Sequence, residues 1–231
     1  ADHGVQTKRA ERTACAMRCW RGLCLLLLWL STTPLAGNAL AVELQAGRDF
    51  RPLDTPLAAE RKDRIEVIEF FWYGCPHCFD FEPVLEDWAK TLPADAVLRR
   101  VPAIFHSKWV AGAQLYYTLE ALHRTDALHR EVFNVMHVER LRLNDESVLF
   151  EWAAKQGIDA KTFAAAWNSF GVQSRVREAQ RLTQESRITG VPALVVGGRY
   201  QALASGNYGD LLQNITQLIS RVRGEQSAPA K

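Results

Sequence analysis

The stretch Glu69-Phe70-Phe71-Trp72-Tyr73-Gly74-Cys75-Pro76-His77-Cys78 limits what this chain can fold into more than any other. The apolar run beginning at Arg64 and ending at Tyr73 reads as a strand covered on both faces, and Gly74 ends it where the backbone must turn. Pro76 suits the first turn of a helix, where no amide donor is missed. The helix is expected to run to about Lys90, with Pro83 kinking or interrupting it. Two cysteines with two residues between them therefore sit at a strand-to-helix junction. They can close a small disulfide loop with the first sulfur exposed at the helix end and the second facing inward.

The other three of the five cysteines, Cys15, Cys19 and Cys24, lie in a leader-like segment. Arg9, Arg12, Arg18 and Arg21 precede the apolar run Leu23 to Leu30, and Ala39-Leu40-Ala41 supplies a small-residue cleavage site. Residues 1–41 are therefore expected to be a signal peptide, since the apolar run falls far short of the roughly 20 residues needed to span a membrane. The long basic region and the initial Ala1 point to Met17 as the natural start. Taking the segment's five Lys/Arg and two Asp/Glu from the chain's 28 and 26 leaves 23 basic and 24 acidic residues. That balance gives no reason to expect nucleic acid or anionic lipid as a partner. Export also places Cys75 and Cys78 where disulfides persist, and with no other mature cysteine a disulfide-stapled scaffold is excluded.

Arg48 to Leu53 reads as an edge strand, to which Pro52 is better suited than to a central one. Val97 to Ile104 reads as a second strand, parallel to the first if strand, helix and strand form one unit. From Lys108 to Ser186 the strand signals give way to capped helices. Caps are expected at Thr125-Asp126, at Asn144-Asp145 for a helix ending near Gly157, and at Asp159 for one ending near Gly171. Strand signals return at Pro192 to Val196 and Arg199 to Leu203, joined by Gly197-Gly198 as a hairpin. An amphipathic helix from Tyr208 to Val222 closes the fold, followed by a polar, flexible tail from Gly224.

At a helix start the unpaired amides and the positive end of the helix dipole favour a thiolate at Cys75, lowering its pKa below the free value of about 8.5. His77 adds a donor and a possible positive charge between the sulfurs. Whatever stabilises the reduced form makes the disulfide more oxidising, and a low-pKa Cys75 is a good leaving group. Cys75 is the expected point of attack, and Cys78 the resolving thiol. Glu69, inside an apolar strand, is either a buried proton carrier beneath Cys78 or a structural carboxylate paired with a nearby Arg or Lys. Val191-Pro192 precedes a strand and, on the usual preference of X-Pro bonds, is expected trans.

The motif Glu69 to Cys78, with Gly190-Val191-Pro192-Ala193 and Gly197-Gly198-Arg199-Tyr200, closely resembles the DsbA family of periplasmic thiol oxidases. The resemblance covers the mature chain in order. It implies an α/β thioredoxin fold with an inserted all-helical domain: residues 42–106 and 187–223 form the thioredoxin-like domain, 107–186 the insertion and 224–231 the tail. It also implies a cis Val191-Pro192 bond facing the cysteines, a match of Glu69 to the family's buried acid, and Arg100 as its basic partner. An apolar groove lined by Trp72, Tyr73, Val191 and Pro192 would hold the substrate. By the same resemblance the chain is a dithiol oxidase that donates Cys75–Cys78 to unfolded exported proteins with free thiols. It is expected to act as a periplasmic monomer reoxidised by a DsbB-type quinone-linked membrane protein, with no cofactor beyond its own disulfide.

Three other readings compete. A reductase or isomerase would use the same pair in the opposite direction, although isomerases usually carry a dimerisation module and no separate N-terminal one is visible. A zinc module would use Cys75, His77 and Cys78, but residues so close in sequence cannot readily supply three tetrahedral ligands, so no metal is expected. A peptide-binding chaperone would need neither cysteine.

Overall fold

The computed structural model describes residues 43–204 and 206–228; the leader-like segment lies outside them. Five strands form one mixed sheet in the order β1-β5-β4-β2-β3. They are β1 (Phe50–Pro52), β2 (Ile65–Phe71), β3 (Ala96–Pro102), β4 (Ala193–Val196) and β5 (Tyr200–Ala202). β2 runs parallel to β3 and antiparallel to β4, as a strand-helix-strand unit followed by a returning hairpin requires. The connecting helix α1 spans Pro76–Ala89. β1 is an edge strand antiparallel to β5, which leaves Pro52 where a missing amide disturbs the sheet least.

All seven residues of β2 are buried, the pattern of a central strand covered on both faces. Val67, Leu194 and Val196 belong to a core that includes Phe81 and Leu85 of α1 and Ile215 and Leu218 of α7 (Tyr208–Ser227). Ile68, Phe71 and Val195 belong to a second core, continuous with the helical region. That region comprises α2 (Val110–Ala121), α3 (Thr125–His137), α4 (Glu146–Lys155), α5 (Ala160–Trp167) and α6 (Phe170–Glu185), inserted between β3 and β4.

The β4–β5 turn requires both its glycines. Gly197 and Gly198 have φ of 58° and 66°, the consecutive left-handed residues of a tight hairpin. A Cβ on Gly198 would lie 2.4 Å from the carbonyl oxygen of Leu57, which sits close because its own amide donates to the Gly198 carbonyl at 2.8 Å.

Several boundaries differ from the sequence expectation. α1 runs through Pro83 without interruption, giving up one amide bond while Phe81, Glu82 and Leu85 remain buried. Thr125 and Asp126 are inside α3, whose cap is Arg124 with no side-chain bond; Asp126 instead places a negative charge in the first turn. Asp145 and Asp159 do cap α4 and α5, accepting from the amides of Ser147 and Thr162. α5 ends at Trp167 rather than near Gly171, because Ser169 caps a new helix by accepting from the Val172 amide. The expected flexible tail is helical as far as Ser227. Glu225 accepts from Tyr200 Oη at 2.7 Å and pairs with Arg199 and Arg221, which ties this turn to the hairpin.

Candidate active site

The backbone of β2 ends at Phe71, and the Cys75 amide donates to the Trp72 carbonyl at 2.9 Å, closing the turn into α1. Cys75 is the N-cap of that helix and Pro76 opens its first turn. The Cys75 residue retains 8% exposure and Cys78 none. Both are free thiols, so the structure is that of the reduced pair. The Cys75 thiol donates to the Val191 carbonyl at 3.4 Å, and the Val191-Pro192 bond is cis, so the loop before β4 faces the first sulfur. The X-Pro base rate favoured trans here; the arrangement implied by the resemblance is the one found. Pro76 and His77 are exposed beside the sulfur, and Tyr208 Oη of α7 donates to the His77 carbonyl at 3.0 Å.

The two sulfurs differ in acidity. A hydrogen bond from the Cys78 thiol holds the Cys75 pKa down to about 6, with burial opposing and the amides of Cys78 and His77 and the His77 charge assisting. Burial pushes Cys78 well above the ordinary thiol value, and the bond it donates to Cys75 pushes in the same direction. Cys75 is thus the nucleophile and leaving group that the site favours, while Cys78 keeps its proton.

Beneath the pair lies a buried ionic cluster. Glu69 is fully buried and its cross-strand neighbour in the parallel ladder is Arg100, whose Nε lies 3.3 Å from Glu69 Oε2. The same guanidinium donates through Nη2 to Oε1 of Glu82 on α1. Glu82 Oε2 faces Nε2 of His129 on α3 at 3.4 Å, and the His129 Nδ1 lies 2.8 Å from Tyr73 Oη. An ionised Glu82 can only accept, so the proton of the neutral ring sits on Nε2, toward Glu82, and Nδ1 accepts from the Tyr73 hydroxyl. Burial lowers the His129 pKa, consistent with a neutral ring.

One cation therefore serves two carboxylates. Burial favours the neutral form of Glu82, but the hydrogen bond from His129 and the charge of Arg100 outweigh it and hold the pKa below the usual range. Burial first, and the Glu82 charge second, push Glu69 up to about 8 despite Arg100. With Glu69 protonated, Glu82 ionised and Arg100 charged, the cluster is neutral.

Of the expected site residues, Cys75, Pro76, His77, Cys78, Val191 and Pro192 converge on the start of α1, while Glu69 lies in the buried cluster, where it pairs with Arg100. The single expected groove divides in two. Trp72 and Tyr73 border a cavity of about 420 Å³ facing α2 and α3, whereas Val191, Pro192 and His77 border one of about 700 Å³ beside α7. The Tyr73 side chain itself is core, 1% exposed and bonded to His129. Glu82, His129 and Tyr208 were not singled out from sequence. Glu82 alone left a signal, a carboxylate four residues after Cys78 and so on the same inward helix face. Among the described residues no cluster of three His, Cys, Asp or Glu is placed to hold a metal ion.

Comparison with known proteins agrees with this geometry. The DSBA-like thioredoxin domain family model matches residues 90–215. The thiol:disulfide interchange protein DsbA of Bordetella parapertussis is 42% identical over 200 residues, covering 84% of this chain and 95% of the relative. That of Pseudomonas aeruginosa PAO1 is 35% identical over 178 residues, covering 77% and 84%. The crystal structure of P. aeruginosa DsbA superposes with a TM-score of 0.75 at 32% identity, covering 80% of this chain and 97% of that one. The N. meningitidis oxidoreductase NmDsbA1 gives 0.73 at 31% identity, with coverage of 80% and 97%. A family model over more than half the chain, and relatives above 30% identity along three-quarters of it, lead to one conclusion: the chain belongs to the DSBA-like thioredoxin domain family and is a thiol:disulfide oxidoreductase.

Proposed function

We propose that this chain is a disulfide donor, and that the unequal acidity of Cys75 and Cys78 sets the direction. A substrate thiolate attacks Cys75 in the Cys75–Cys78 disulfide, forming a mixed disulfide and releasing the Cys78 sulfur. A second substrate thiolate then attacks the substrate sulfur of that bond, and Cys75 leaves as a stabilised thiolate. The substrate loses two electrons as its two thiols become one disulfide, and the protein gains them as its disulfide becomes two thiols.

In this reading Cys75 is the exchanging sulfur and Cys78 the resolving one. Pro76 fixes the helix start and His77 supplies positive charge near the thiolate. Glu69, protonated and paired with Arg100, gives its proton to the Cys78 sulfur as that sulfur is released and recovers it when the disulfide re-forms. Val191 and Pro192 offer the half-buried backbone leading into β4 to an extended substrate segment, with the cavity beside α7 for its side chains. The helices between β3 and β4 form an inserted domain on the thioredoxin-like unit. Residues 1–41 direct the chain to the periplasm, where unfolded exported proteins are the substrates and a DsbB-type quinone-linked membrane protein restores the disulfide. It works as a monomer, with no cofactor besides the cysteine pair.

The observation that carries the proposal is the position of Cys75 as the N-cap of α1, next to a wholly buried Cys78 and facing the Val191 carbonyl before the cis proline. Titrating the reduced protein by thiolate absorbance, with Cys75→Ser as the blank, is expected to give a midpoint near pH 6. A midpoint at the ordinary thiol value would remove the driving force for donation.

A further inference from the structure

The cavity on the helical side of Cys75 has no part in the exchange chemistry, yet it opens against Gly74 and Pro76, the residues on either side of that cysteine. Its volume of about 420 Å³ accommodates one large side chain. The wall is aromatic and apolar. The Trp72 and Trp109 rings lie parallel, 2° apart in plane and 4.2 Å between centroids, and Leu115, Met136 and Leu143 complete it. Trp72 can lie as it does only because residue 74 is glycine, since a Cβ there would approach the indole to 2.4 Å.

The polar part of the lining is one-sided in charge. Lys108 and Arg140 are both exposed at this cavity, and no Asp or Glu lines it. Neither cation enters an ion pair among the described residues, whereas Arg99, Arg100, Arg175, Arg181 and Arg223 all do. Arg140 is held in the turn after α3 at φ 61°, with the next amide, that of Leu141, donating to Val135 at 2.8 Å. The N-terminus of α2 also meets the cavity, through Trp109 and Gly112, and carries no side-chain cap. Its dipole adds to the same positive field.

We infer that this cavity is a second substrate subsite, taking an aromatic residue and an adjacent carboxylate from the polypeptide whose cysteine is being oxidised. The inference rests on the disulfide-donor reading and adds to it a preference for acidic flanking sequence. The aromatic ring stacks on the Trp72–Trp109 wall, and the carboxylate meets Lys108 and Arg140 at the rim. A substrate crossing Cys75 would then be held on both sides, by the loop before β4 and by this cavity.

The test uses the oxidised full chain and peptides carrying one cysteine with Phe-Glu, Phe-Gln or Phe-Lys on either side of it. Each rate of mixed-disulfide formation is divided by the same protein's rate with dithiothreitol. The Phe-Glu peptide is expected to react about fivefold faster than Phe-Lys at low ionic strength, a contrast that shrinks with salt. A nearby carboxylate raises a peptide thiol's pKa, so intrinsic reactivity runs the other way. Lys108→Gln combined with Arg140→Gln should bring the ratio to within about twofold. In a further comparison with an Ala-Glu peptide, Gly112→Leu, whose side chain enters the cavity from α2, should erase the native protein's preference for Phe-Glu over Ala-Glu. Equal rates for the three peptides in the native protein, or a contrast surviving in the double variant, would overturn the subsite while leaving disulfide donation intact. Failure to oxidise dithiothreitol or any peptide would instead overturn the donor reading beneath it.

Discussion

Replacing Cys75 by serine is expected to reduce oxidation of a peptide dithiol by more than about a thousandfold, to the uncatalysed rate. The alcohol cannot form a disulfide with Cys78, so the variant has nothing to donate. Cys78 alone is no substitute: it is wholly buried, and burial keeps it protonated. Cys78→Ser should fail differently. Supplied with oxidised glutathione, its Cys75 exchanges into a mixed disulfide as one glutathione leaves as a thiol, and no resolving thiol in the protein can displace the other. Mass spectrometry of the unreduced protein should detect that adduct accumulating in Cys78→Ser and none in Cys75→Ser. Adducts in the reverse pattern would place the exchanging sulfur at residue 78.

The second large effect is on stability. Arg100→Met removes the one cation between Glu69 and Glu82, and breaking a buried pair by removing one partner costs about 3–5 kcal/mol. Urea unfolding of the oxidised protein, in which Cys75 does not titrate, measures it. The cluster also makes a pH prediction. Glu69 has a folded pKa of about 8, raised above its unfolded value. Its contribution is therefore complete below the unfolded pKa and is lost as pH rises through 8. Glu82 is depressed, so its contribution is present above the unfolded value and lost on acidification. Between pH 5 and pH 9 the Glu69 loss should weaken the native protein on the order of 4 kcal/mol, and Glu69→Gln should flatten that slope. A stability rising over this range in the oxidised protein would contradict a raised Glu69.

The parts of the fold set by local chemistry could be read from the residues. The apolar density of Ile65–Phe71 marks a doubly covered strand, Gly197-Gly198 a tight hairpin that in the structure also takes in Arg199, and Asp145 and Asp159 helix caps. The cysteine pair was equally plain, since a strand, a glycine, a cysteine and a proline leave few arrangements. What escaped depended on distant parts of the chain. His129 gives no sign in α3 that it reaches Glu82 and Tyr73, because that meeting exists only once α3 packs on α1. The division of the expected groove has the same origin. Trp72 stacks on Trp109 from the other side of the inserted helices, and no spacing in the sequence encodes that contact. The helical end of α7 escaped for a third reason: its polar composition reads as a tail, and only Glu225 meeting Tyr200, Arg199 and Arg221 holds it.

Disulfide donation itself is tested most directly by the redox equilibrium of Cys75–Cys78 with glutathione. The oxidised protein is brought to equilibrium in buffers of varied reduced and oxidised glutathione, and the free thiols are trapped and counted by mass. With Cys75 stabilised as a thiolate, the pair should be mostly reduced even where oxidised glutathione is in excess. A pair that stays oxidised until reduced glutathione strongly predominates would be a stable disulfide, and the reduced protein would then be placed to give electrons to substrate disulfides rather than the oxidised protein to give its disulfide to substrate thiols.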